Sequence, residues 1–373
     1  MSTHLPQTRW PMTESTAAVT AFLATLLAPP QLLGLGEPTH GVAAFPLWRN
    51  RIFQGLVEHH GFRSIAIESD VIAGLRANAY VTGGPGELDE VMNDGFSHGF
   101  GRVQANRELL VWMRAFNAER AQADQVGFYG FDPPIENMWA ASPRPSLLAL
   151  HAFLARHFTH LPVDAATLEH LCGEDAPWTH QAAAMDPSQS VGATAQAQHL
   201  HVLADDLLAF LDTQTPGLLS SPDLWEAQVH ARTALGLLRY HANMAAASPE
   251  RISQMLALRA VMMTSNLTAI AERENPRGPT LVFAHNSHLQ RNASQIRMDS
   301  MKADWWPTGA HLALRLGTRY AFVAMSSGQD AGLPVKLVQD WARQQNDGPY
   351  LYATPELQQM DGVMVITDAA GAA

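Results

Sequence analysis

The sequence predicts an α/β fold: three layers around a mainly parallel or mixed central sheet, with a helical insertion (cap) over the cleft. Three observations point there. Short apolar runs alternate with helical periodicity in the first third of the chain; strand patterns vanish between residues 146 and 275; strand patterns then return. Alternating strands and helices are the mark of a parallel sheet covered on both faces. A sheet that resumes after a helical excursion belongs to one continuous layer. The expected parts are therefore residues 1–145 as the first portion of the α/β core, 146–275 as the helical insertion and 276–373 as the second portion. At roughly 150 residues per ordinary domain, 373 residues suit one large domain carrying an insertion.

Taken in order, residues 14–27 carry apolar side chains at helical spacing (Val19, Phe22, Leu23, Leu26, Leu27) until Pro29-Pro30 stops them. LLGLGEPTHG reads as a buried strand running into a loop. A helix over 43–59 ends at Gly61, a usual C-terminal signal. SIAIESD (64–70) is a second buried strand and 71–80 a helix. A Gly-rich loop over 83–101 leads to an amphipathic helix at 103–120, then to the strand VGFYGFD (126–132), closed by Pro133-Pro134. Long helical segments follow over 196–211, 224–246 and 251–273. TLVFAH (280–285), RYAFVAMS (319–326) and GVMVIT (362–367) restore the strand pattern, and the Ala-rich tail after Asp368 is expected to fray.

Composition narrows the function. A net charge of -11 makes nucleic acid a poor partner, since nothing would neutralise phosphates in bulk. The 16% charged residues fall below the usual ~25% and argue against disorder or a coiled coil. One cysteine, Cys172, makes neither an internal disulfide nor a thiolate metal cage. The opening MSTHLPQTRW lacks the apolar core of a signal peptide, and no run reaches the ~18 apolar residues of a membrane span. A cytoplasmic protein acting on a small molecule, with no membrane partner, is expected, as a monomer or small homo-oligomer.

The ends of the apolar strands carry the chemistry. In open α/β sheets ligands bind beyond the carboxyl ends of the strands. Those ends are Glu37, Glu68, Asp132 and His285. A strand ends where a polar loop begins, so one ionisable residue there means little; four, three acidic and one imidazole, point to a site. His40 follows Glu37 by three residues in G-E-P-T-H-G. A carboxylate fixes an imidazole's tautomer and raises its pKa toward neutrality, which suits a general base. On the next helix Phe45, Arg49, Ile52 and Leu56 share one face, which puts Arg49 on the buried side. A buried guanidinium needs a partner, and Glu37 and Glu68 are the nearest candidates. His285 and His288 stand at H-x-x-H spacing after a strand.

Other readings fit the same residues. GFSHG (95–99) matches the G-x-S-x-G nucleophile elbow, with Ser97 as nucleophile, but the polar LDEVMND before it does not read as the required strand. Glu37, His40, Glu68, His285 and His288 are acceptable metal ligands, although Arg49 would compete with a cation; no metal or cofactor is expected. Trp178, Phe210, Trp225 and Tyr240 in the insertion would line an apolar cleft or form plain core. Trp305-Trp306 would form a pocket rim or plug a sheet edge.

These residues, in this order, resemble the erythromycin esterase family. The resemblance rests on G-E-P-T-H-G, the helix with Arg49, I-A-I-E-S-D ending at 70, and G-F-D at 130–132. It continues through A-H-N-S-H at 284–288, G-x-x-L at 309–312, L-G-x-x-Y at 316–320 and D-G-V at 361–363. It implies a metal-independent hydrolase of a macrocyclic lactone ester. By the family's motif His40 would be the general base, Glu37 and Glu68 catalytic carboxylates, and Arg49 the balancing charge. His285 and His288 would bind or polarise the ester and its oxyanion. Asp132, Asn286, Phe96 and Trp48 are the expected substrate contacts, and a macrolide-like ester the expected substrate. GFGRVQANREL lacks the family's Trp between the third loop and its helix. Another lactone or acyl hydrolase, or a protein binding haem through His40, His285 or His288, would use the same fold.

Overall fold

The apolar runs lie side by side in one sheet. The computed structural model describes residues 8–11, 15–298, 301–327, 350–353 and 360–366. In chain order the elements begin with β1 (Thr8–Pro11), α1 (Ser15–Leu23), β2 (Leu32–Glu37), α2 (Ala44–His60), β3 (Ser64–Asp70), α3 (Val71–Val81), α4 (Leu88–Asp94) and α5 (Gln104–Asn117). Next come β4 (Gly127–Asp132), the hairpin β5 (Ile135–Glu136) and β6 (Trp139–Ala140), and helices α6 (Arg144–His157), α7 (Ala165–Cys172), α8 (Ala195–Leu218), α9 (Leu224–Met244) and α10 (Arg251–Glu274). The chain then forms β7 (Thr280–His285), α11 (Asn286–Leu289), the hairpin β8 (Ser294–Met298) and β9 (Met301–Trp305), α12 (Thr308–Leu316), β10 (Tyr320–Ser326), β11 (Tyr350–Ala353) and β12 (Gly362–Val365).

Among the described residues the main sheet has eight strands in the order β1-β11-β12-β10-β2-β7-β3-β4. The six from β12 to β4 are parallel, and β11 and β1 extend one edge antiparallel. Strand alternation assigns the faces. Leu33, Leu35, Ile65, Ile67, Leu281 and Phe283 point to one side, where Phe22 of α1, Ile52 and Leu56 of α2 and Leu109 of α5 cover them. Leu32, Ala66, Val282, Ala284 and Phe322 point to the other, against Met263, Leu267 and Ile270 of α10 and Leu312 of α12. Helices α6 to α9 hold a separate core around Leu150, Leu200, Leu207 and Leu235. No helix of the described residues is long and apolar enough to cross a membrane.

Several elements depart from their sequence patterns. Helix α1 stops at Leu23, because the outlying Leu27 is 92% exposed and buries nothing. Residues 83–101, read as loop, contain α4, whose Val91 and Met92 reach the core. Helix α8 runs past Leu211 through Pro216. Proline sits in its last turn, and buried Leu218 anchors the end. The hairpins β5–β6 and β8–β9 carry no Gly-containing turn signal; Asn137 and Met138 join the first with φ of 45° and 71°.

The aromatics of the helical region are core. Trp178 donates to the Cys172 carbonyl, Tyr240 to that of Met138, Trp225 packs on Tyr129 and Phe210 on Phe158. Trp305 is buried within β9, whereas Trp306 is 60% exposed. Thr367 and the Ala-rich tail lie outside the described residues.

Helix α3 approaches β4 backbone to backbone, which fixes the strand that ends in Asp132. A Cβ on Gly74 would lie 2.4 Å from the Gly130 nitrogen. Gly74→Ala should therefore destabilise the protein by about 1–3 kcal/mol through overpacking, despite the better helix propensity of alanine. Urea unfolding followed by circular dichroism tests this; a variant more stable than the parent would mean the contact does not govern.

Candidate active site

Four adjacent strands, β2, β7, β3 and β4, carry the ionisable residues at their carboxyl ends: Glu37, His285 and Asp132 are the last residues of β2, β7 and β4, and Glu68 stands two residues before the end of β3. Glu37 and His285 are register partners. Beyond β2 the chain turns through Pro38-Thr39-His40 to Gly41, whose φ of 85° suits glycine. The turn folds His40 back so that its Nδ1 lies 2.7 Å from Glu37 Oε1. With Nδ1–H donated to Glu37, Nε2 is left as the acceptor, 3.8 Å from Glu68 Oε1. The His40 side chain is 42% exposed, and the Phe100 ring leans edge-on against it at 5.3 Å. Burial alone would lower the His40 pKa; the bond to Glu37 and the charges of Glu68 and Glu37 outweigh it and raise it. Burial likewise raises Glu37 in spite of its bond to His40.

Glu68 is the hub. Its Oε2 accepts the His285 backbone N–H at 2.7 Å, and its Oε1 faces His288 Nε2 at 3.2 Å and Arg259 Nη2 at 3.4 Å. Burial works against the charge, but His288, Arg259 and His40 hold the carboxyl well below its usual range. The His285 ring is engaged on both sides. Its Nε2–H donates to the Pro38 carbonyl at 2.8 Å, and its Nδ1 accepts from the Ser287 backbone N–H at 3.1 Å. This ties the His40 loop to β7 and keeps the ring neutral, with burial lowering its pKa.

A second network joins Asp132, which the sequence singles out, to three residues it does not: Arg259, His98 and Glu136. Arg259 of α10 donates from Nε to Asp132 Oδ1 at 2.9 Å and from Nη2 to Asp132 Oδ2. His98 bridges Asp132 Oδ2 through Nε2 and Glu136 Oε2 through Nδ1, both at 2.8 Å, and its backbone N–H also binds Glu136. The backbone of His98 is left-handed, φ 56°, a conformation that costs a non-glycine residue energy. Burial disfavours a charged His98, but Asp132 and Glu136 prevail and raise its pKa; burial also opposes ionised Asp132, which Arg259 and His98 nevertheless hold low. A signal for Arg259 was present: it falls in the i, i+4 stripe of Met255, Met263 and Leu267, the argument that placed Arg49 inside. For His98 the only signal was the rejected GFSHG match.

Together His40, Glu68, His98, Phe100, Arg259, His285 and His288 face a cleft of about 680 Å³, with apolar walls from Met138, Ile252, Leu256 and Ile296. Among the described residues no three His, Cys, Asp or Glu side chains are arranged to hold a metal ion.

Other expected residues sit elsewhere. Arg49 is buried, 1% exposed, as its helical phase demanded, but it pairs with no carboxylate among the described residues. It binds the amide oxygens of Asn50 (3.0 and 2.7 Å) and Asn106 (2.8 Å) and stacks over Phe283. Burial pushes its pKa down to about 9, offset only in part by the charge of Glu37. The guanidinium that neutralises the cleft carboxylates is Arg259. Phe96 is core, packed on Phe128. Trp48 stacks with Arg51 and does not line the cleft. Asn286 bonds the Met325 carbonyl, so close to Gly36 that a Cβ there would lie 2.3 Å from its Oδ1. Asp132 is fully buried and reaches the cleft only through Arg259 and His98. Ser97 follows a helix rather than a strand, and its hydroxyl is bound to Ser69 and the Asp70 N–H.

The sequence model described as erythromycin esterase matches residues 57–344, starting downstream of Glu37, His40 and Arg49. Erythromycin esterase type I of Escherichia coli is 24% identical over 308 residues, 80% of this chain and 70% of that protein. A solved mutant of the erythromycin esterase EreC, in its open conformation, shares the fold with a TM-score of 0.67 at 19% identity over 97% of both chains. A succinoglycan biosynthesis protein gives 0.65 at 17% over 96% of this chain and 91% of its own. A Bacillus cereus protein gives 0.62 at 17% over 93% and 90%.

Removing Arg259 takes the permanent positive charge from two buried carboxylates, Glu68 and Asp132. Arg259→Met should cost about 3–5 kcal/mol at neutral pH. Glu68 and Asp132 have depressed pKa values, so the stability they contribute is fully present above the usual carboxylate range and fades as pH falls through their folded values. In the variant the same carboxyls, still buried but without the guanidinium, protonate at higher pH than in the parent, so the deficit should be largest near pH 7 and shrink toward pH 4. Chemical unfolding at both pH values measures it, and a deficit independent of pH would contradict the pairing.

Proposed function

Because this chain belongs to the erythromycin esterase family, we propose that it hydrolyses a carboxylic ester of a macrolide-like lactone by general-base activation of water, without a metal. Family membership supports a hydrolase acting on esters; the mechanism is drawn from the cleft. The observation that carries it is His40, held at Nδ1 by Glu37 with Nε2 open to the cleft.

In the neutral state His40 Nε2 accepts a proton from water as the water oxygen attacks the ester carbonyl. The imidazolium that forms is steadied by Glu37 at Nδ1 and by the nearby Glu68. Negative charge develops on the carbonyl oxygen. Arg259 lines the cleft, and its Nη1 makes no bond to a described residue, so it supplies cationic stabilisation there. His288, bound through Nε2 to Glu68, adds a second polar group on the same wall. Collapse of the tetrahedral intermediate breaks the bond to the alkoxide, which takes the proton back from His40. The products are one carboxylic acid and one alcohol. The His285 ring, spent on Pro38 and Ser287, positions the loop instead of touching the ester. Arg49, bonded to Asn106, ties α2 to α5.

The direct test is incubation with a panel of macrolides and simple aryl esters, in the presence of a chelator, followed by mass spectrometry. A gain of one water on a macrolide is expected; intact substrates throughout, or activity abolished by the chelator and restored by a metal, would overturn the reading.

His40→Ala should lower kcat by ~10²–10⁴ with little change in melting temperature, since its side chain is half-exposed. Because the base must be neutral and its pKa is raised, kcat/KM should climb with pH through a value above 6.5. Turnover that stays high at lower pH would place the base elsewhere.

A further inference from the structure

Beside the cleft lies a second cavity, of about 210 Å³, between α2, α5 and the ends of β3 and β7. Its walls are apolar: Val42 and Pro46 from the α2 side, Val103 before α5, and Ile67 and Phe283 from the sheet. Phe100 lines both this cavity and the cleft. Gly41, Ala43 and Gln104 are exposed and stand at its mouth. Two charged groups also border it, Glu37 and Arg49.

Arg49 is the informative one. A guanidinium has five N–H donors. Asn50 takes one from Nε and one from Nη2, Asn106 takes one from Nη1, and no described residue accepts the other two. A donor with that much unused capacity, almost completely buried and bordering an apolar hollow, calls for an acceptor from outside the chain. The charge of that acceptor is constrained. Glu37 borders the same space and already acts on Arg49 electrostatically, so a ligand carboxylate would bring a second negative charge toward Glu37 with one cation between them. A neutral oxygen satisfies the free N–H groups without that repulsion, and the apolar walls favour a short carbon chain behind it.

We propose that this cavity binds a short aliphatic group tipped by an uncharged acceptor oxygen, a ketone or ether, bonded to Arg49. Resting on the hydrolase reading above, that group is an arm of the ester substrate, carried past Phe100 while its carbonyl lies over His40. The alcohol or acyl part preferred by this enzyme is then an oxygenated aliphatic chain rather than a flat aryl group.

Binding is measured first, independently of turnover, by titrating 2-hexanone and hexanoate into the intact protein and following backbone amide shifts. The ketone should move the signals of Ala43 and Val103 and bind at least fivefold more tightly than hexanoate. Ala43→Phe, at the exposed mouth, should weaken it at least tenfold. Val103→Phe blocks the cavity from the other wall and serves as the second variant. Tighter binding of hexanoate, shifts confined to other regions, or unchanged affinity in both variants overturns the proposal. Turnover is then compared for the p-nitrophenyl esters of 5-oxohexanoate and hexanoate. A preference of fivefold or more for the oxo acid, falling to near one in Ala43→Phe, is expected. Ketone binding without cleavage of any ester would remove the hydrolase reading and leave the pocket standing; cleavage without the preference would remove the pocket's role in substrate choice.

Discussion

The burial of two carboxylates at the exit of the sheet, and the need to neutralise them, organises this molecule. Glu68 and Asp132 are 3% and 0% exposed. Unpaired, an ionised carboxylate in such a place would protonate or unfold the structure around it. Arg259 reaches both from α10, so one side chain ties the helix covering one face of the sheet to β3 and β4. The His285 N–H secures the remaining oxygen of Glu68 and brings β7 into the same arrangement. Helix position, strand order and the charge state of the cleft are therefore one problem with one solution.

That solution shapes what His40 can do. Its own carboxylate, Glu37, is a separate group on β2, with β7 between it and the strand of Glu68, and Glu68 lies slightly too far for a hydrogen bond. The imidazole is thus oriented by one acid and electrostatically favoured by another, while its half-exposed position lets it return to neutrality. A base buried as deeply as Glu68 would be locked in one state. The left-handed backbone at His98 and at the Asn137-Met138 turn is strain of the kind that surrounding contacts must hold in place. Here the contacts are the Glu136 bonds to His98 and the Tyr240 hydroxyl on the Met138 carbonyl.

The two buried arginines show the limits of pairing rules. Both lie on core stripes of their helices, and phase alone places each inside. Arg259 meets two carboxylates; Arg49 meets amides, an aromatic face and an apolar hollow. Nothing in helical periodicity separates these outcomes, because periodicity says which way a side chain points and nothing about what arrives from a distant segment. The same gap explains why Phe96 was expected at the cleft and Phe100 was not. They are four residues apart, on either side of a left-handed His98-Gly99 turn that sends one into the core and the other toward His40.

Local chemistry was legible from the chain alone. Strand runs, the helix stop at Gly61, the burial of Arg49 and the His40–Glu37 pair all follow from interactions within a few residues, where covalent connection sets the geometry. Strand order did not follow. Residue 285 lies between residues 37 and 68 in space because β7 pairs with both β2 and β3, and that choice is made by packing over long loops whose closure entropy changes only slowly with length. Arg259, His98 and Glu136 joined the site for the same reason: each is brought in by a long-range contact, whose partners only the folded chain selects.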